Sequence, residues 1–119
     1  MGEMSLMGGA RPKRRIGALV FFKSYDIFLK AVERAKKIYS NHLVPLDCPS
    51  HLTIDIYSTP WDNPIKTIIW GEARDEAAFE EFIFRLFERR PKEVIRVRPE
   101  ELPRKSIHIG HQRLDAYLG

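Results

Sequence analysis

The sequence predicts an α+β fold, an antiparallel sheet with two helices packed on one of its faces. Three observations predict it. Residues His51 to Ala73 read as two strands around a turn bounded by Pro60 and Pro64. A segment of helical periodicity and a segment of strand periodicity lie on each side of that hairpin. Each helical segment has a single apolar face, so both can cover the same side of one sheet.

The elements follow in order. Ile16 to Phe22 is a continuous apolar run bounded by Arg15 and Lys23, the pattern of a central strand. Gly17 and Ala18 are small and leave room for a close approach to that strand. Ser24 is placed to cap a helix, whose apolar positions Ile27, Phe28, Ala31, Val32, Ala35, Ile38 and Tyr39 recur at three- and four-residue spacing. It should end near Asn41, before Pro45. His51 to Tyr57 alternates, which points Leu52, Ile54 and Ile56 to the core and His51, Thr53, Asp55 and Tyr57 outward. Ile65 to Gly71 is β-branched and aromatic, with Lys66, Ile68 and Trp70 assigned to the outward face. Acids at Asp75 and Glu76 favour a second helix start; its apolar face is Ala78, Phe79, Phe82, Ile83, Leu86 and Phe87, and Pro91 stops it. Val94 to Arg98 alternates as a fourth strand, ended by Pro99, with Arg96 and Arg98 outward. The tail holds a short run, Ser106 to Ile109, and a last helical turn from Gln112 to Leu118.

The order strand, helix, strand, strand, helix, strand is the ferredoxin-like βαββαβ plan: a four-stranded antiparallel sheet, two helices on one face, and a C-terminal extension. The expected organisation is a disordered basic arm over residues 1–15, a ferredoxin-like domain over 16–99 and the extension over 100–119. A chain of 119 residues suits one such domain. Its single cysteine, Cys48, cannot form an internal disulfide. The basic segment before Ile16 and the apolar run after it mimic an export signal. However, the run has only seven residues, ends at Lys23 and lacks a small-residue cleavage site. It is far short of the roughly 20 residues that a membrane span needs. A cytoplasmic protein with no membrane partner is expected.

Net charge is +4, and it is concentrated: Arg11, Lys13, Arg14 and Arg15 fall within five residues, with no acid between Glu3 and Asp26. An open sheet face bearing Tyr57, Trp70, Lys66, Arg96 and Arg98 combines aromatic planes with cations. Single-stranded nucleic acid is bound by such pairs, bases on rings and phosphates on cations. The leading expectation is therefore a small binding module for RNA or single-stranded nucleic acid, contacted by those residues together with Arg14 and Arg15. The third strand lacks the Lys/Arg-Gly-aromatic signature of RNA-recognition modules of this plan. The alternative is a homodimer that uses the same face as its interface.

Metal binding and small-molecule catalysis rank lower. Cys48 with His51 and His108 with His111 form two half-sites of zinc-like spacing, which a tail crossing from Pro99 to Ile107 would bring together. Acylphosphatases share the fold plan and need a glycine-rich phosphate loop after strand one with an arginine; Phe22-Lys23-Ser24-Tyr25-Asp26 has neither. Asp55 and His51 share a strand face and form a candidate acid–base pair.

Overall fold

The computed structural model describes residues 12–41 and 48–110. Among them the chain forms β1 (Arg14–Phe22), α1 (Tyr25–Ser40), β2 (His51–Ile56), β3 (Ile65–Ala73), α2 (Glu76–Phe87), β4 (Glu93–Ile95) and β5 (Lys105–Gly110). The sheet is antiparallel throughout, in the order β4-β1-β3-β2-β5. Five strands replace the four expected. The fifth comes from the tail run around Ser106 to Ile109, whose alternation lets it pair along the whole of β2 from His51↔Gly110 to Ile56↔Lys105. Among the described residues no helix is long and apolar enough to cross a membrane.

Local chemistry sets the helix ends. The Ser24 hydroxyl accepts the Ile27 backbone N–H at 3.3 Å, and Asn41 closes α1. The Asp75 carboxylate accepts the Ala77 N–H at 3.0 Å at the start of α2. That helix ends at Phe87, four residues before Pro91, because Glu88 turns left-handed (φ 58°) and donates its N–H to Phe84 O. The core lies between the helices and one sheet face. Ile16, Ala18, Val20 and Phe22 of β1, Leu52 and Ile54 of β2, and Ile65 and Ile69 of β3 meet Phe28, Val32, Ala35 and Tyr39 of α1 and Phe79, Ile83 and Leu86 of α2. Phe22 packs edge-on against both Phe28 and Phe87. Ile27, placed on the buried face by periodicity, stays 37% exposed.

Two boundaries differ from the sequence reading. β1 begins at Arg14, so Arg14 and Arg15 belong to a strand. β4 is shorter than Val94 to Arg98 and ends at Ile95. Arg96 and Arg98 leave the sheet because each is drawn into an ion pair elsewhere, with Glu76 and Asp55. Residues 1–11 of the arm, His111 and the turn expected over residues 112–118 lie outside the described residues.

Candidate functional site

The face turned away from the helices is built in rows across the strands. One row runs Ile95, Gly17, Trp70, Thr53, His108; the next runs Glu93, Leu19, Ile68, Asp55, Ser106. β4 ends at one edge of the sheet and β5 starts at the other, so residues 96–104 must cross. They cross on this face: the Arg98 guanidinium lies 2.9 Å from Asp55 Oδ2, and the Arg104 N–H donates to Ile56 O at 2.8 Å. The face is therefore strapped rather than open.

Asp55 is the anchor. Its side chain is fully buried, yet it points to the face predicted to be outward. Oδ2 accepts the Trp70 indole N–H at 3.1 Å as well as Arg98, and Oδ1 accepts the Ser106 hydroxyl at 2.8 Å. Every donor is matched to an acceptor, which is what a carboxylate needs away from water. Asp55 is thereby committed to holding the strap and β5, and the acid–base pairing with His51 expected from strand alternation does not form. Trp70 is only 2% exposed. Its ring lies over Gly17, where a Cβ would come within 2.8 Å of it, and the Arg15 guanidinium stacks 5.2 Å from the ring centroid. A base cannot stack on that ring in this arrangement.

The other residues of the expected nucleic-acid surface are spread out. Lys66 sits over the Tyr57 ring at 5.7 Å. The Tyr57 hydroxyl is pushed above its ordinary value by burial and by the Asp55 charge, against the lowering pull of Arg98. This pair and Arg15 are at opposite ends of β3, roughly 20 Å apart by strand rise. Arg96 bonds Glu76 at the start of α2. Arg14 faces a second small cavity with Arg74, Asp75, Glu76 and Arg96. The structure thus gathers Arg14, Arg15 and Arg96 at one end of the sheet, ties Arg98 to its middle, and leaves Tyr57 and Lys66 at the far end.

Beside Arg15 the surface dips into a notch of about 90 Å³ lined by Lys13, Arg15, Ser50, His51, Thr53, Trp70 and Glu72, with Pro49 and Gly71 behind. At roughly 15 Å³ per water that is space for a few waters or one phosphate-sized group. His51 lines this notch, and His108, the other histidine among the described residues, stands at its rim against Thr53. His51 Nδ1 is 3.2 Å from the Ser50 hydroxyl, and His108 Nδ1 is 3.2 Å from the Thr53 hydroxyl. The metal-ligating set expected from spacing is divided. Cys48 lies on the helical side with Phe79 and Phe82, His51 and His108 lie on the strapped face, and His111 is outside the described residues. Among the described residues no three metal-ligating side chains come together.

Sequence reasoning brought His51 and His108 together as metal half-sites through a crossing tail, but missed Lys13 and Thr53 as their neighbours. The signal for Thr53 was present, since His51 and Thr53 share a face by alternation. His108 joined them only through the unforeseen β2–β5 pairing. Compared with known proteins, the chain matches no family model, no curated protein and no solved structure. What the site does is therefore argued from its own residues.

Proposed function

We propose that this protein is a small cytoplasmic binding module for RNA or another single-stranded nucleic acid. In this reading it uses the ferredoxin-like plan extended by a fifth strand. It meets its ligand through the basic end of the sheet rather than through stacking on Trp70. One observation carries the reading: Lys13 and Arg15 line a phosphate-sized notch at that end, and Arg14 and Arg74 line a second small cavity near it. Arg96 and Arg98, the other cations expected there, already have carboxylate partners. Cations at a strand end take phosphates without regard to base, so binding should be strongly salt-dependent and weakly sequence-dependent.

The test is fluorescence anisotropy with labelled single-stranded RNA, single-stranded DNA and duplex over a range of salt. Lys13→Ala with Arg15→Ala should weaken single-strand binding at low salt. It should also flatten the log–log salt slope by about 1.4, two phosphate contacts at about 0.7 each. An unchanged affinity and slope in that double variant would remove this surface from consideration.

A homodimer is the second reading. It is favoured by Trp61, Val97 and Leu102, which are 79%, 80% and 84% exposed, and by β5, whose outer edge carries no strand among the described residues. Light scattering on the same sample decides it: a dimer mass, with no binding at low salt, would favour the interface.

A further inference from the structure

The notch also carries an arrangement that simple phosphate binding does not need. His51 lies opposite Gly110 and His108 lies opposite Thr53 on the neighbouring strand. Both point to the strapped face, so they are diagonal neighbours with Cβ atoms roughly 7 Å apart. Each ring has its Nδ1 beside a hydroxyl, Ser50 for His51 and Thr53 for His108, at 3.2 Å in both cases. Nδ1 is the engaged nitrogen on each ring, so Nε2 is the atom that would meet a ligand. Both side chains are exposed. Gly110 matters to the fit, because a Cβ there would lie only 3.0 Å from the His51 Cβ. Lys13 and Arg15 line the notch with His51, and Glu72 is the one acid in its lining among the described residues.

Two imidazoles at diagonal strand positions, one lining a notch with Lys13 and Arg15 and the other at its rim against Thr53, have the residue types of a general acid–base pair for the RNA backbone. We infer that this notch is a ribonucleolytic site in which His51 and His108 move the protons of backbone transesterification and Lys13 and Arg15 hold the phosphate. The inference rests on the nucleic-acid reading above and narrows its ligand to RNA. In the step, the ribose 2′-oxygen attacks the adjacent phosphorus. The O2′–P bond forms and the P–O5′ bond breaks. One imidazole Nε2 takes the 2′-hydroxyl proton, and the other, as imidazolium, gives a proton to the departing 5′-oxygen. The products are a 2′,3′-cyclic phosphate and a 5′-hydroxyl end, so atoms and charge balance with no co-reactant. The cations oppose the charge that grows on the phosphoryl oxygens. DNA, which lacks the 2′-hydroxyl, is bound and left intact.

The experiment uses two labelled strands of one sequence with the whole protein: an all-2′-O-methyl RNA for binding, and a DNA strand with a single ribonucleotide for cleavage. The expected result is binding of the first and a cut in the second at the ribonucleotide, leaving the cyclic phosphate. His51→Ala and His108→Ala, each prepared in the same way, should each lose at least about 100-fold in cleavage. They should lose far more in cleavage than in affinity for the 2′-O-methyl strand, and keep the parent's far-ultraviolet circular dichroism. Binding without a cut overturns the inference and leaves the binding reading standing. So does a cut of equal rate in both variants, which marks a contaminating nuclease. No binding of the 2′-O-methyl strand at low salt overturns both.

Discussion

Asp55 shows how far alternation reads at the scale of a residue. The pattern His51, Thr53, Asp55, Tyr57 assigned its direction from sequence, and the direction holds, since Asp55 pairs in register with Ser106 and Ile68 away from the helices. Its burial was not legible, because what covers it arrives about 40 residues later in a segment with no period of its own. The same reason hid the fate of Arg98. The carboxylate now accepts from Trp70, Ser106 and Arg98 at once. Asp55→Ala should therefore destabilise the chain by about 2–3 kcal/mol. The indole N–H is left buried without an acceptor, while the Arg98 guanidinium, half-exposed, regains water. Equilibrium urea unfolding measures this. A loss under about 0.5 kcal/mol would mean that the three donors find water as easily as they find the carboxylate.

Among the elements, the helices and the central hairpin were legible because each advertises itself through a period and a cap. Ser24 and Asp75 cap where their side chains allow, and Trp70 over Gly17 is the close approach that two small residues in β1 invited. β4 and β5 were less legible. Three residues are too few for a period, and the run Ser106 to Ile109 revealed its partner only once β2 was known to have a free edge. Between these strands, residues 96–104 are held across the face by Arg98 and the Arg104 N–H. If Arg98 is what pins this strap, then Arg98→Ala should uncover Trp70. The chain has two tryptophans, and Trp61 is 79% exposed, so the comparison belongs in a Trp61→Phe background. There the parent should emit as a buried indole. Arg98→Ala should shift the emission to longer wavelength and raise its quenching by acrylamide. Unchanged emission would assign Trp70 burial to Gly17, Ile95 and the Arg15 stack alone, and the strap would be an incidental crossing.

For the whole molecule, stability should be set at high pH by tyrosine. Tyr39 is fully buried at the end of α1, and its hydroxyl donates to Pro49 O at 3.0 Å, tying α1 to the approach of β2. Burial first, and the neighbouring Cys48 second, push that hydroxyl well above its ordinary value of 10.0. Tyr57 moves in the same direction through burial and Asp55. The folded chain thus keeps these protons at a pH where the unfolded chain loses them. Below about pH 10 both states are protonated and the contribution is present in full; above it the unfolded state binds fewer protons, so stability falls as pH rises. Urea midpoints should be level in this respect up to about pH 9 and decline beyond pH 10. Ultraviolet difference absorbance on the folded chain should show Tyr39 still un-ionised there. Tyr39→Phe should lose about 1 kcal/mol at neutral pH with the Pro49 hydrogen bond, yet its stability should decline less steeply at high pH, because the group that links folding to proton loss has gone. A Tyr39→Phe chain that declines as steeply as its parent would place the alkaline sensitivity in other groups. The Tyr39–Pro49 contact would then be a packing contact with no part in the pH response.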